Sequence, residues 1–174
     1  MDLLWSPWRY RYVSQPPSGQ CIFCLKAAEQ NDPENYVLCR APRNFILLNI
    51  YPYTNGHLMI APYQHVATLA EADPATLEEM IRLARLAEAS LRQVYRARGL
   101  NIGMNIGECA GAGVAGHIHM HVLPRWPGDV SFLTTVGETR VIPEDLATTY
   151  RRLLIAFREQ ARLDGEQLSF PTTL

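Results

Sequence analysis

The sequence predicts an α+β domain: an antiparallel sheet of about five strands packed against one long helix, with a second helix near the carboxyl end. Three observations carry this. Short β-prone runs at Tyr36–Arg40, Asn44–Ile50 and His57–Tyr63 are separated by Pro42-Arg-Asn and Pro52-Tyr-Thr-Asn-Gly56, turn segments too short for the helical crossover of parallel strands. A long run from Asp73 to Gly99 has apolar residues at helical spacing. The stretch Gly116 to Trp126 alternates histidine with apolar residues, the period of a strand.

At 174 residues, 48% of them hydrophobic, the chain can bury one core and is short for two. The expected division is an arm over 1–20, a domain over 21–164 and a tail over 165–174. In the arm, Trp5, Trp8, Tyr10 and Tyr12 interleave with Arg9 and Arg11, a composition suited to stacking on a base or to packing the arm onto a domain or subunit. For the long helix, Asp73 serves as N-cap, Pro74 fits the first turn and Gly99 gives the stop. Its expected apolar stripe is Leu77, Met80, Ile81, Ala84, Ala87, Leu91, Val94 and Tyr95, and Glu78, Arg82, Arg85, Glu88 and Arg92 form a solvated face. Leu100–Gly107 reads as a strand beside the histidine stretch, and 108–116 as a Gly/Ala loop. Phe132–Val136 reads as a short strand. Pro143–Arg162 reads as a helix with Leu146, Tyr150, Leu153, Leu154 and Phe157 inward.

His117, His119 and His121 fall at every second position, with Ile118, Met120 and Val122 between and after them. One face of such a strand carries a row of imidazoles while the other enters a core, and Pro124, lacking an N–H, ends the ladder. A row of histidines fits a solvated strand face, a metal site, or phosphorus chemistry in which imidazoles attack, donate and orient. Cys21 and Cys24, spaced Cys-x-x-Cys, fit half of a zinc knuckle, a pair of reduced thiols, or a redox motif. Cys39 reads as a strand residue, and Cys109 has no assigned role. The loop before His117 lets backbone amides approach phosphate oxygens, but it lacks the Lys and Ser/Thr of a magnesium-dependent P-loop.

At His117-Ile-His119-Met-His121-Val-Leu the chain resembles the histidine triad (HIT) family of nucleotide hydrolases and transferases. Pro124-Arg-Trp126-Pro-Gly-Asp129 is similar to the branch of bacterial diadenosine tetraphosphate phosphorylases and hydrolases. The likeness extends through Trp5-Ser-Pro-Trp-Arg-Tyr10, Cys21-Ile-Phe-Cys24, Leu48-Asn49 to His57, and Asn105-Ile-Gly107. It implies a HIT domain over 21–164 that acts on the α-phosphate of adenosine dinucleoside polyphosphates. His119 is the expected nucleophile, forming a nucleotidyl-histidine; His121, Asn105 and His117 complete the catalytic set. Asn49, His57, Ala112, Gly113 and Trp126 are the expected substrate contacts, with Asn49 near the ribose and Trp126 stacking on a base or meeting a second subunit. His57 reads equally as a buried core histidine.

The resemblance further implies that Cys21, Cys24, His65 and His117 hold a structural zinc, which draws His117 away from catalysis. It implies a homodimer or higher oligomer, and no organic cofactor. Where the phosphorylase-like relatives have Gly then Ser, this chain has Ala112 and Gly113, so the expected reaction is hydrolysis, with phosphorolysis or non-catalytic nucleotide binding as alternatives. Uridylyltransferases have Gln where this chain has His121. The net charge of −1 argues against nucleic acid or an anionic membrane as partner. No membrane-length apolar run or signal-peptide pattern is visible, so the expected location is the cytoplasm.

Overall fold

The computed structural model describes residues 20–129, 134, 136, 137 and 141–172. The aromatic arm and most of the expected strand at Phe132–Val136 lie outside the described residues. Five strands, β1 (Val37–Arg40), β2 (Asn44–Leu48), β3 (Leu58–Pro62), β4 (Gly99–Gly103) and β5 (Met120–Arg125), form one sheet in the order β1-β2-β3-β5-β4. Every pairing is antiparallel. Among the described residues three α-helices accompany it: α1 (Ile22–Ala28), α2 (Pro74–Tyr95) and α3 (Leu146–Asp164). This is the expected α+β architecture.

Alternation decides what each face meets. Leu38, Ile46, Leu48, Leu58, Ile60, Met120 and Val122 point to one side, where Met80, Leu83, Leu86, Leu91, Leu153, Leu154 and Phe157 of α2 and α3 bury them. Each such side chain contributes roughly 1.5–3 kcal/mol by leaving water. The opposite side carries a smaller cluster of Val37, Phe45, Leu47 and Ala61, closed by Phe23 from α1. His119 and His121 share this second side, and His121 lies opposite Met59 and Gly103.

Several expected boundaries and faces shift. Helix α2 stops at Tyr95, with Arg96 in the left-handed region (φ 51°), its N–H donating to Arg92 O; Gly99 opens β4 instead of capping the helix. The buried stripe of α2 takes in Leu83 and Leu86, whereas Ile81 is 61% exposed. Polar residues complete that stripe. Glu79 accepts from Asn44 Nδ2 (2.8 Å) and Arg43 N (2.9 Å), and Ser90 Oγ donates to Leu86 O (2.9 Å). Helix α3 begins after Asp145, whose carboxylate accepts from Thr148 N at 2.8 Å, rather than at Pro143.

Strand β4 ends at Gly103, four residues short of the expectation. Pro124 does not end its ladder; it lies within β5, opposite Leu100. The reason is geometric. The Arg125 carbonyl accepts from Arg98 N on the β4 side, so by alternation the Pro124 nitrogen faces the other side, where β3 starts only at Leu58. The chain after α3 folds back, and Ser169 pairs with Arg40 through two backbone bonds of 2.8 Å, extending the β1 edge.

Candidate active site

The site starts where β3 runs out. Pro62 has no N–H, and the 117–119 segment does not continue the ladder opposite it. Instead His117 Nε2–H donates to Pro62 O (2.9 Å), and Ile118 N donates to Val66 O (2.8 Å). That bond fixes the imidazole's tautomer and turns Nδ1 toward α1. There it lies 3.3 Å from Cys21 Sγ, 3.6 Å from Cys24 Sγ and 3.2 Å from His65 Nδ1. Cys24 Sγ is 3.2 Å from His65 Nδ1.

These four ligand atoms lie within 4.8 Å of one another. A tetrahedral zinc with its usual bond lengths sets its donors roughly 3.3–3.8 Å apart, so the donor set matches the ion in kind and spacing. Burial, followed by the neighbouring Cys21 thiol, pushes the Cys24 thiol up from its ordinary value, a crowding that a bound cation reverses. Both nitrogens of His117 are thereby engaged.

Helix α1, not apparent from the sequence, brings the two cysteines to this point. It is short and lacks a side-chain N-cap, so its stability comes from tertiary contacts. Phe23 is buried, and Arg40 on β1 donates to the carbonyls of Lys26, Ala27 and Glu29 at 2.8–3.0 Å. The same guanidinium is ion-paired with Asp32 at 2.6 Å.

His119 and His121 have a different fate. His119 Nδ1–H donates to His117 O (2.9 Å), so Nε2 keeps its lone pair. His121 belongs to a relay: Tyr53 N–H donates to His57 Nδ1 (3.1 Å), so the His57 proton resides on Nε2 and is donated to His121 Nδ1 (2.8 Å). His121 must then carry its own proton on Nε2. These bonds leave one imidazole with a free Nε2 lone pair and its neighbour with an Nε2–H, with ring centroids 5.0 Å apart.

Burial is the main reason all three rings favour the neutral form. His57 is pushed down to about 3, with His121 and His119 adding to the effect. His121 is pushed down to about 4, with His119 adding. His119 is lowered by burial, partly opposed by its bond to the His117 carbonyl.

The other expected contacts fall at two distances from these rings in the fold. Asn49 adjoins the relay, with Nδ2 3.4 Å from His57 Nδ1 and Oδ1 accepting from Tyr51 N (2.9 Å). Asn105, half-buried, lies between β4 and the glycine loop. In that loop Gly107 and Gly111 both have φ 84°, conformations other residues resist, around a 3₁₀ turn at Glu108–Ala110. The amides of Ala110, Gly111 and Ala112 bond within the turn; among the described residues, no backbone carbonyl takes those of Gly113 to Gly116. Trp126 sits at the other end of β5, where its indole N–H donates to Tyr95 O (2.9 Å).

Two residues were missed from the sequence. Tyr53 lies with its ring 4.6 Å from His57 and 6.0 Å from His121, and Phe23 with its ring 4.7 Å from His119. Aromatic residues flanking turns and cysteines were the available signal.

A HIT domain model matches residues 30–128. The chain belongs to the HIT family. It is 33% identical over 168 residues to an AP-4-A phosphorylase of Mycobacterium tuberculosis, covering 92% of this chain and 86% of that one. Among solved structures it is similar to a Zn-bound histidine triad family protein from Mycobacterium smegmatis, at 30% identity and TM-score 0.68, covering 86% of this chain and 99% of that one. A hypothetical histidine triad nucleotide-binding protein from Sulfolobus tokodaii is 28% identical with TM-score 0.62, covering 82% and 93% respectively. This HIT protein is a nucleotide-processing enzyme of the hydrolase and nucleotidyltransferase kind. Among the described residues, no helix is long and apolar enough to cross a membrane.

Proposed function

We propose that this HIT enzyme splits dinucleoside polyphosphates, of the diadenosine tetraphosphate class, at the α-phosphorus. The observation that carries the reading is the bond from His119 Nδ1–H to the His117 carbonyl, which leaves a neutral Nε2 with its lone pair free, in the segment that directly follows the glycine loop in sequence. His119 Nε2 donates its lone pair to phosphorus while the P–O bond to the remaining polyphosphate breaks, giving a nucleotidyl-histidine. His121 Nε2–H, Asn105 and the loop amides donate to phosphate oxygens as charge builds, each worth about 3 kcal/mol. Asn49 contacts the ribose, and Trp126 belongs to the outer wall of the site or to a subunit contact.

An acceptor oxygen then displaces His119, and the P–N bond breaks. Two acceptors each have a specific observation behind them. The AP-4-A phosphorylase relative favours phosphate, releasing ADP; the hydroxyl-free pair Ala112 and Gly113 favours water, releasing AMP. Incubation with diadenosine tetraphosphate, with and without phosphate, followed by chromatography decides between them. ATP plus AMP marks hydrolysis, ATP plus ADP phosphorolysis, and no product a nucleotide binder. His119→Asn should abolish turnover and leave the fold intact; retained turnover removes the nucleophile.

Cys21, Cys24, His65 and His117 are the residues to hold zinc. With all four positions filled by protein, such an ion pins α1 to the sheet. Four free thiols fit a reducing, cytoplasmic setting. The β4 edge, with Ile102 46% and the nearby Ile106 37% exposed, is the surface on which a second copy would pair.

A further inference from the structure

Phe23 lies between Cys21 and Cys24 in sequence, yet its side chain leaves the metal cluster for the active-site face of the sheet. It is 3% exposed, and its ring packs on His119 with centroids 4.7 Å apart and an interplanar angle of 36°. It meets His117 at 5.2 Å. The cluster it closes, Val37, Phe45, Leu47 and Ala61, is also the one against which Val114 of the glycine loop packs. His119 is therefore bounded on three sides: Nδ1 bonds to the His117 carbonyl, Phe23 covers a face, and His121 stands edge-on at 5.0 Å and 70°. The single hydrogen bond sets which nitrogen is protonated. It does not by itself hold the ring's direction to the 10–20° that in-line attack demands; packing must supply that.

We propose that Phe23 is a positioning residue for the nucleophile: an aromatic wall that fixes the line of approach of His119 Nε2 and keeps water from its flank. The wall is anchored at both ends of α1, by the Cys21 and Cys24 thiols at its start and by the Arg40 guanidinium on the last carbonyls. This rests on the reading of His119 as the nucleophile.

The test uses Phe23→Leu, with Phe45→Leu as its control. Phe45 belongs to the same cluster but stacks on Tyr63 (5.5 Å). Both are compared with the wild type as zinc-reconstituted full-length proteins. Steady-state kinetics with diadenosine tetraphosphate are measured alongside the proton resonance of the His119 Cε1–H, assigned by its disappearance in His119→Asn. Phe23→Leu should lower kcat about 10- to 100-fold with KM within about twofold, and should move the resonance as the ring current is lost. Phe45→Leu should leave both within about threefold of wild type. A rise in KM with kcat retained means that Phe23 touches substrate and overturns the proposal. Equal losses in both variants reduce Phe23 to core packing and do the same. A resonance that moves with no loss of kcat refutes positioning alone, whereas turnover by His119→Asn removes the underlying reading.

Discussion

His57 makes folding itself sensitive to acid, and the size of the effect follows from its surroundings. The side chain is 1% exposed, and burial with two neighbouring imidazoles lowers it from 6.5 to about 3. Between those values the unfolded chain binds a proton that the folded chain refuses, so the contribution is fully present above pH 6.5 and is lost as pH falls toward 3. Each pH unit inside that window is worth about 1.4 kcal/mol. From pH 7 to pH 5 the chain spends about 1.5 units inside it, so His57 alone should lower unfolding free energy by about 2 kcal/mol. His121, lowered to about 4, acts in the same direction over the same interval. The assay is urea unfolding at pH 7 and pH 5 on wild type and His57→Gln, which cannot titrate. Lost hydrogen bonds make the variant weaker at both values; the quantity of interest is the difference between them. Wild type should lose about 2 kcal/mol more than His57→Gln over that interval. Parallel losses would mean that His57 is already charged, or already free to charge, in the folded protein, and the relay through Tyr53 N–H would fall with it.

Cys24→Ser should reduce bound zinc to well under one per chain and loosen α1; elemental analysis and proteolysis between residues 20 and 35 check this, and full zinc occupancy would refute the assigned ligand set. Gly56→Ala should cost about 2–4 kcal/mol, because φ is +72° and an added Cβ meets Leu91 Cδ2 and Tyr95 Cε2 at 2.9 Å. Thermal unfolding reads this as a lower midpoint, and an unchanged midpoint would show that α2 can move aside.

The sheet was legible because its signals are local. Val37–Arg40, Asn44–Leu48 and Leu58–Pro62 are apolar runs with proline and glycine between them, and no distant contact is needed to find them. The buried face of α2 was only partly legible, since Thr76, Glu79 and Ser90 are buried there and break the hydrophobic code. Glu79 belongs inside only because Asn44, a strand residue 35 positions away, supplies its partner. Helix α1 was invisible for a related reason: its seven residues have no side-chain N-cap, and Arg40 and the contacts of Cys21 and Cys24 with His117 and His65 hold it from outside. The histidine stretch shows the limit of periodicity. Alternation puts His117, His119 and His121 on one face, but the strand starts only at Met120. Upstream of it, Pro62 diverts His117 to the cysteines, and His57 takes the third place in the row of rings.

In the proposed reaction the choice of acceptor is assigned to the loop between Gly107 and His117. Water and phosphate attack the same phosphorus along the same line, so chemistry at His119 cannot discriminate between them; only a group that binds the incoming phosphate can. Gly113 is exposed and has no positive φ, so Gly113→Ser adds a hydroxyl there without backbone strain. One hydrogen bond to a charged oxygen contributes roughly 1.5–3 kcal/mol, about a tenfold or greater gain in the ADP-to-AMP product ratio at subsaturating phosphate. Chromatography of the products of diadenosine tetraphosphate measures that ratio directly. If Gly113→Ser leaves it unchanged while total turnover is retained, the loop is not where the acceptor binds, and the missing hydroxyl loses its weight as an argument for hydrolysis. The likeness to the M. tuberculosis AP-4-A phosphorylase would then be the stronger guide to this enzyme's second substrate.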